Sequence, residues 1–391
     1  AEVGEEEVGE YLTSKDAFQK RLKEAGGASA LDTRQVKGSK EPVGLRNQGG
    51  TCYLNSLLQS LFLTHEFRAF VYAFSHVPGR HGPREACIPL QLQAVFARLE
   101  LSDAASASTE ALTAAFGWTK AESFTQHDVA ELMRVLFDAL ARSTEAFAPV
   151  AALYQGELAS FITCEARQLR TVRSEDFQDL QLQVRGKATL EEALRAFVEP
   201  EVLDGDNQWE IESGEKVDAL KGLSLKKGAL PSLLTLHLRR FDYDYQTSRR
   251  VKVNDRQEAP LVLDMAPFLS SPDSPWLPPE GGGDEELYDL TSVLVHSGTA
   301  GAGHYYAFAR EVDQAGRGEW WEFNDQTVSP TLEETVRRAL GQEVGSSEGK
   351  GGVGEGGGAS AYMLIYRRRG TGAASIAAAG APPQDMADEG A

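Results

Sequence analysis

The sequence is poor in cysteine and has no long apolar run. Its 391 residues include three cysteines, Cys52, Cys87 and Cys164. An odd, sparse set argues against a disulfide framework and is typical of a reducing compartment. No apolar stretch is long enough to span a bilayer, and no signal peptide or Asn-x-Ser/Thr acceptor is present. We therefore expect a protein of the cytoplasm, the nucleus or both, without a membrane partner. A monomer is the default expectation, since the sequence does not indicate an oligomeric state.

Basic residues are also in deficit. The 58 Asp and Glu residues outnumber the 39 Lys and Arg residues, for a formal net charge of -19. Such a surface disfavours nucleic acid and would attract a basic partner, although charge alone identifies none. The sequence begins with Ala1 rather than Met, so we expect it to be an excerpt of a longer protein.

Changes in composition divide the chain into a folded part and several flexible segments. Residues 1–41 are expected to be an acidic, flexible segment, in which an amphipathic stretch around residues 11–25 is compatible with a helix, and residues 369–391 a disordered tail. Stretches rich in Gly, Ser, Pro and Glu at about 270–286 and 341–360 predict flexible insertions. The folded part is therefore expected to span residues 42–368.

The folded part is helical at first and rich in strands later. Apolar residues recur at helix spacing over residues 54–62 and 129–140. Leucines alternate with polar residues over 234–239, which predicts a half-buried strand. Further strand candidates are residues 289–296, 303–310, 319–324 and 361–367. This order predicts an α+β fold.

Cys52 is the candidate nucleophile. It follows Gly49, Gly50 and a threonine, and it opens the first apolar helix. The partial positive charge of a helix N-terminus favours thiolate, and the glycines let another backbone pass near the sulfur. A buried structural cysteine is the alternative, and it is the interpretation we adopt for Cys87 and Cys164.

A thiolate nucleophile needs a base, and His304 is the candidate. It follows the flexible stretch 297–303 and begins a candidate strand. If that strand and the next form a hairpin, either Asn324 or its neighbour Asp325 lies opposite His304 and orients its ring. A turn at Asn324 and Asp325 is the alternative. His237 alternates within its strand and is expected to be a satisfied structural residue.

Chemistry at a carbonyl also needs donors for the developing oxyanion. The backbone amide of Cys52 is one candidate. The side-chain amide of Asn47, five residues upstream, is another, and a turn-forming asparagine is the alternative there.

Four stretches in the folded part resemble the motifs of the ubiquitin-specific proteases. They occur in the family's order and spacing, and the details resemble the large multidomain branch whose fingers have lost zinc. The stretches are the cysteine box (residues 44–61), the acidic helix box (126–131), the palm strand (234–241) and the histidine box (295–307 with 321–325).

The resemblance implies a papain-like cysteine protease fold with three subdomains. The helical thumb would span about residues 42–154, the β-rich fingers about 155–223, and the antiparallel palm about 224–368. It also implies hydrolysis of the isopeptide or peptide bond after the C-terminal glycine of ubiquitin, through a covalent thioester and without a cofactor. Cys52, His304 and Asn324 would form the triad, with Asp325 beside it and Asn47 in the oxyanion position.

The resemblance further implies contacts with the extended tail of ubiquitin, which contains arginines and ends in Gly-Gly. Asp128 and Glu131 lie three apart on a helix whose other face is apolar. Both are expected to point away from the core and pair with tail arginines, with a solvated helix face as the alternative. The expected contacts are Trp118, Gln126, Asp128, Glu131, Gly303 and Tyr305, and a place in the core is equally compatible with Trp118.

The sequence departs from the family at two points. Many members bind zinc through two Cys-x-x-Cys pairs, but here the first pair retains only Cys164 and the second aligns with residues 211–214, which contain no cysteine. One cysteine cannot form a tetrahedral site, so we expect no zinc. Asn324 replaces the aspartate of many triads, which leaves a low resting activity open.

Two further hypotheses compete with an active deubiquitinase. One is a catalytically silent module that binds ubiquitin without aligning the triad. The other is a hydrolase for a ubiquitin-like modifier. The sequence alone does not separate them.

Overall fold

The computed structural model describes residues 42–102, 104–119, 127–246, 248–270, 286–312, 317–342 and 358–370. The N-terminal segment 1–41, Gln126, most of both expected insertions and nearly all of the expected tail lie outside the described residues.

The helices are concentrated in the first part of the described chain. They are α1 (Cys52–Phe62), α2 (His65–Ala73), α3 (Pro78–His81), α4 (Ile88–Leu101), α5 (Glu110–Ala115), α6 (Val129–Ser143), α7 (Ala148–Tyr154), α8 (Leu190–Val198) and α9 (Glu333–Ala339). The two apolar periodicities are confirmed as α1 and α6. Every residue of α1 is buried, so this helix runs through the interior. No helix in the described ranges is both long enough and apolar enough to cross a bilayer.

The strands are mostly in the later part. They are β1 (Gly44–Leu45), β2 (Ser106–Ala107), β3 (Gly156–Cys164), β4 (Leu169–Phe177), β5 (Leu180–Gln183), β6 (Glu201–Leu203), β7 (Trp209–Glu210), β8 (Lys216–Val217), β9 (Ala219–Lys226), β10 (Leu233–Arg239), β11 (Phe241–Asp244), β12 (Arg249–Lys252), β13 (Val262–Asp264), β14 (Leu269–Ser270), β15 (Leu287–Gly298), β16 (Gly303–Ala309), β17 (Trp321–Asn324), β18 (Thr327–Pro330) and β19 (Ser360–Arg368). The predicted α+β class is confirmed.

The large sheet has the order β18-β17-β16-β15-β19-β10-β5, and β13 also pairs with β15. Its pairings are antiparallel except for the parallel pair β10 and β5. One face packs against α1, α4 and α6 through Leu294, Tyr305 and Ala307. The other face packs against α8 and α9 through residues such as Val293 and Val295. Because α1 lies directly against β16, the first residues of these two elements meet at one end of the seam.

The prediction that the strand of Leu234, Leu236 and Leu238 is half-buried is wrong. The intervening Thr235 and His237 are 0% and 8% exposed. The polar side is buried because helices of the first part of the chain cover it, while the leucines pack into the core on the other face. Alternation therefore predicted the strand but not the burial of its second face.

A second sheet has the order β14-β9-β3-β4, with β6 beside β9. It contains four of the seven strands in the range 155–223 expected to form the fingers. Within that range, however, β5 pairs with β10 in the large sheet, and α8 packs in the core of that sheet. Strand β14, from beyond the range, joins β9.

The residues that align with the family's zinc ligands form a small apolar cluster. Cys164 is buried with Leu203 and Val217, and Ile211 packs against them. Arg167 and Glu215 form an ion pair nearby. This donor set does not fit zinc, since one sulfur is packed among aliphatic groups, and no metal-ligating cluster occurs among the described residues. The absence of zinc from the protein remains a prediction.

Gly44 allows β1 to approach the turn between β17 and β18 closely. A Cβ atom there would lie 2.4 Å from the carbonyl oxygen of Gln326. Gln326 belongs to the two-residue turn between β17 and β18. The amide of Leu45 donates to the carbonyl oxygen of Asp325 in the same turn, at 2.8 Å.

We expect Gly44→Ala to lower the free energy of unfolding by about 1–3 kcal/mol, because a methyl group there forces two backbones apart. Urea unfolding followed by fluorescence measures this loss. Gly79→Ala is the matched control, because a Cβ atom at Gly79 meets nothing within 4 Å. Equal stability of the parent and Gly44→Ala would contradict the close approach.

Candidate active site

Cys52 is the first residue of α1 and is 1% exposed. Its Sγ accepts a hydrogen bond from the backbone amide of Tyr305 on β16, at 3.4 Å. The turn before the helix needs a glycine at position 49, whose φ of 121° is rarely adopted by other residues. The sulfur therefore lies between the helix N-terminus and the sheet.

His304 joins Cys52 to Asn324. Its Nε2 donates to Oδ1 of Asn324 at 2.7 Å. The imidazole also forms a hydrogen bond with the side chain of Cys52. Since Asn324 occupies Nε2, Nδ1 is the ring nitrogen left for the sulfur. The structure thus brings the three residues predicted as a triad into one hydrogen-bonded chain.

The prediction that Asn324 or Asp325 lies directly opposite His304 is wrong, by two residues for Asn324 and by one for Asp325. Strands β16 and β17 pair Ala307 with Phe323. Continuing that register places Asn324 across from Tyr306, because the hairpin is centred one residue later than expected. The side chains of His304 and Asn324 still meet, since residues two apart on a strand share a face and diagonal neighbours are within reach.

Asp325 occupies the turn after β17 with a φ of 52°. Its Oδ2 lies 4.0 Å from Nε2 of His304 and accepts a hydrogen bond from Nδ2 of Asn47 at 2.9 Å. Its Oδ1 accepts from Nδ2 of Asn55 on α1 at 2.8 Å. Asn324 therefore orients the ring, whereas Asp325 supplies a nearby negative charge and ties the turn to the helix segment.

Asn47 shapes the turn before α1. Its Oδ1 accepts from the amides of Gly49 at 2.8 Å and Thr51 at 3.1 Å. The turn-forming alternative therefore describes what this side chain does in the structure. Asp325 uses one of the two side-chain N–H groups, so the same amide is held at the Cys52 end of the helix. Its role as an oxyanion donor remains a prediction.

The pKa of His304 is raised to about 9. The main cause is the hydrogen bond with Cys52. Burial opposes the rise, while the hydrogen bond with Asn324 and the negative charges of Cys52 and Asp325 support it. His304 is therefore protonated at neutral pH, and the sulfur of Cys52 faces a cation.

His296, in the same motif, is neutral where His304 is protonated. It lies on β15, is buried, and has its pKa lowered to about 4 by burial and by the nearby charges of Lys252 and His304. A Cβ atom at Gly303 would lie 2.2 Å from its Nε2. His296 is thus a neutral support beneath the residue that precedes His304, and Gly303 is required for that contact.

Asp128 does not simply point away from the core, contrary to the prediction. It is the N-cap of α6, and its Oδ1 accepts from the amides of Ala130 at 2.8 Å and Glu131 at 3.2 Å. Its Oδ2 accepts from the hydroxyl group of Tyr362 on β19. The cap position turns this carboxylate back toward the sheet, whereas Glu131 is exposed as expected.

The other expected contacts differ in exposure. Trp118 is half-buried against the core and stacks with Phe116 at 5.5 Å and His127 at 6.1 Å between ring centroids. Its contact with the tail remains a prediction. Tyr305 is buried, and its backbone amide donates to Cys52. Gly303 lies at the start of β16 beside His304.

Several residues of the site were not identified from the sequence. Asn55 stands three residues after Cys52 in an apolar helix, and a buried amide there needs a partner, which was the available signal. Tyr362, His296 and Lys252 gave no comparable signal. Lys252 donates to the carbonyl oxygens of His296 at 2.7 Å and Gly358 at 2.8 Å. These bonds hold the end of β15, just before the stretch 297–303 that leads to His304.

We expect alkylation of Cys52 by iodoacetamide to be faster in the parent protein than in His304→Ala between pH 6 and 8. His304 stays protonated until the pH passes about 9, so its cation stabilises the thiolate only below that value. The two rates should converge above pH 9. Peptide mapping by mass spectrometry separates Cys52 from Cys87, whose thiol pKa is raised by burial and which serves as an internal control. Equal rates at pH 7 would contradict the ion pair.

Comparison with known proteins identifies one family. The family model described as ubiquitin carboxyl-terminal hydrolase matches residues 43–366. The chain is 35% identical to ubiquitin carboxyl-terminal hydrolase 47 of Drosophila melanogaster, an alignment covering 86% of this chain and 25% of that protein. It is 37% identical to ubiquitin carboxyl-terminal hydrolase 47 of Homo sapiens, and that alignment covers 83% of this chain and 27% of the human protein. It is 38% identical to ubiquitin carboxyl-terminal hydrolase 15 of Schizosaccharomyces pombe, and that alignment covers 84% of this chain and 28% of the yeast protein.

The chain spans about a quarter of the length of these relatives. The family match, in contrast, covers nearly all of the part of the chain that contains α1 to β19. It includes Cys52, His304 and Asn324. The chain belongs to the ubiquitin carboxyl-terminal hydrolase family.

Proposed function

We propose that this chain is the catalytic part of a cysteine-type deubiquitinase that cleaves the bond after the C-terminal glycine of ubiquitin. The observation that carries the proposal is the imidazole of His304, hydrogen-bonded to both Cys52 and Asn324. A silent binding module would have no need to align these groups in the absence of substrate. The names of the relatives and the family match support the same reaction.

The proposed reaction has two steps. The thiolate of Cys52 attacks the carbonyl carbon of the terminal glycine, and the imidazolium of His304 gives its proton to the leaving amine as the amide bond breaks. This leaves a thioester and a neutral imidazole. His304 then takes one proton from water, whose oxygen attacks the thioester carbonyl, and the C–S bond breaks to release Cys52 as the thiolate. The carboxylic acid formed on ubiquitin loses its proton to solvent and leaves as the carboxylate, and His304 is left as the imidazolium. Neither step needs a cofactor.

The oxyanion formed in both steps would be stabilised at the N-terminus of α1. The amide of Cys52 belongs to the first turn, whose N–H groups point out of the helix end. Asn47 would add its side-chain amide, whose orientation is fixed by Asp325 and by the amides of Gly49 and Thr51. Donors that are already oriented cost no reorganisation when the charge develops.

The tail of ubiquitin would enter between α6 and the stretch 297–303 that precedes His304. Glu131 is exposed, and the carboxylate of Asp128 is about 30% exposed, so both remain within reach of tail arginines. Gly303 and the glycines before Cys52 would leave a passage narrow enough to select two glycines. Ubiquitinated proteins would be the partners of a monomeric enzyme in the cytoplasm, the nucleus or both.

Ubiquitin with an electrophile at its C-terminus tests the reaction and the nucleophile together. We expect one ubiquitin adduct on the parent chain by intact mass, none on Cys52→Ala, and an unchanged adduct on the matched variant Cys87→Ala. If the parent binds ubiquitin without forming the adduct, the silent module is correct instead. An adduct that persists in Cys52→Ala would place the nucleophile elsewhere, and reaction only with a modifier carrying a different tail would exclude ubiquitin as the substrate.

Substitution of Asn324 tests how the ring is oriented. We expect Asn324→Ala to lower kcat by about 10²-fold, the lower end of the contribution of positioned acid–base catalysis. Asn324→Asp should stay within about 10-fold of the parent, because a carboxylate also accepts from Nε2 of His304. Both are measured with ubiquitin carrying a fluorogenic C-terminal amide. Equal kcat for Asn324→Ala and the parent would rule out the orienting role.

A further inference from the structure

His237 is buried between two carboxylates without a hydrogen bond to either. It lies on β10, and its side chain is 10% exposed. Its Nε2 is 3.9 Å from Oδ2 of Asp128, and its Nδ1 is 3.9 Å from Oδ2 of Asp179. Neither ring nitrogen has a hydrogen-bond partner among the described residues, and neither does Oδ2 of Asp179. The prediction that His237 is a satisfied structural histidine is therefore wrong.

A neutral imidazole cannot satisfy both neighbours. It carries one N–H and one lone pair, so it can donate to one carboxylate and must direct its lone pair at the other. Only the protonated ring can donate to both. Two unpaired nitrogens at 3.9 Å from two acceptors are what this mismatch produces when the ring is neutral.

The surroundings of His237 act on its charge in opposite directions, and the effect of burial is the larger. Burial lowers its pKa, and the negative charges of Asp128 and Asp179 oppose that effect. The guanidinium groups of Arg134 on α6 and Arg239 on β10 favour the neutral ring, and Arg134 also holds Asp179 at 2.7 Å.

The remaining groups that face His237 do not titrate near neutral pH. From β19, the ring of Tyr362 packs against it at 4.9 Å between centroids and donates its hydroxyl group to Asp128. Burial and the charge of Asp128 keep that hydroxyl group neutral by raising its pKa. From β5, the paired residue is the uncharged Gln181. Of His237, Tyr362 and Gln181, His237 is therefore the group whose charge changes as the pH falls.

Asp128 couples this cluster to the surface. Its Oδ1 serves the amides of α6, while its Oδ2 faces His237 and Tyr362. About 30% of the side chain is exposed, so an arginine of the substrate would bind the same carboxylate from the solvent side. Neutral His237 leaves Asp128 with a full negative charge for that arginine. Protonated His237 compensates the charge from the protein side.

We propose that His237 is a positioning residue that sets the charge Asp128 presents to the arginine-containing tail of the substrate, and that it makes substrate binding weaken in mild acid while the chemical step is unaffected. The inference rests on the proposed deubiquitinase function and assigns the specificity of the same site. The sign follows from the chemistry. The ring is neutral at pH 7 and gains a proton as the pH falls, so KM rises toward acid.

The test is hydrolysis of ubiquitin carrying a fluorogenic C-terminal amide, with kcat and KM measured separately between pH 5 and 7.5. For the parent we expect KM to rise by at least about 5-fold from pH 7 to pH 5.5, the lower end of coupling between two sites. In His237→Gln, KM should be nearly constant, because the amide donates and accepts without titrating. The pH dependence of kcat should be the same in both proteins.

Two further variants separate this role from a purely structural one. Asp179→Asn keeps His237 but removes one carboxylate, so the rise in KM should move to lower pH even if His237→Gln folds poorly. His127→Gln removes the histidine adjacent to Asp128 and should keep the parent's pH dependence. The inference is overturned if the parent's KM is constant, or if the rise survives in His237→Gln, or disappears in His127→Gln. Absence of hydrolysis by the parent at pH 7.5 would instead overturn the proposed function.

Discussion

The carboxylate of Asp325 is the junction on which the geometry of the site depends. The proposed nucleophile is on α1 and its proposed base is on β16, and packing between a helix and a sheet is not directional enough to fix two side chains at hydrogen-bond distance. Asp325 adds directional bonds, since one oxygen holds Asn47 before the helix and the other holds Asn55 within it. Gly44 lets the chain approach the same turn closely enough for these bonds to form. The turn that follows Asn324 therefore sets where α1 begins relative to the ring of His304.

Local sequence patterns predicted the elements but not what covers them. Helices α1 and α6 followed from apolar spacing, and β10 followed from alternation, because these patterns depend on neighbours within a few residues. The burial of Thr235 and His237 depends on helices from a distant part of the chain, which no local pattern encodes. Asp128 was misjudged for a related reason. A residue at a helix start turns its carboxylate to the exposed amides, and its second oxygen then meets whatever the sheet provides, here Tyr362.

The candidate site was predictable to the extent that its chemistry depends on residue type. The chain has few cysteines and histidines, so the candidates could be compared one by one. The features that identified them were a cysteine at a helix start, a histidine after a glycine-rich loop and an asparagine on the next strand. Their register was not predictable to the residue, because a hairpin loop need not be symmetric. Charge states were also out of reach. His296 and His304 lie in one motif, yet burial keeps the first neutral while the partnership with Cys52 keeps the second protonated.

With an asparagine in the third position of the proposed triad, two residues share a task that one aspartate can perform. An aspartate at that position both orients the imidazole and stabilises its positive charge. Here Oδ1 of Asn324 accepts the hydrogen bond from Nε2 of His304 at 2.7 Å. The negative charge is on Asp325, whose Oδ2 lies 4.0 Å from the same Nε2. The negative charge expected to be missing is therefore displaced by one residue, and it still contributes to the raised pKa of His304. Since Asp325 also holds Asn47 and Asn55, this charge is fixed in place by the junction, so that the stability of the imidazolium and the alignment of the two halves of the site depend on the same side chain.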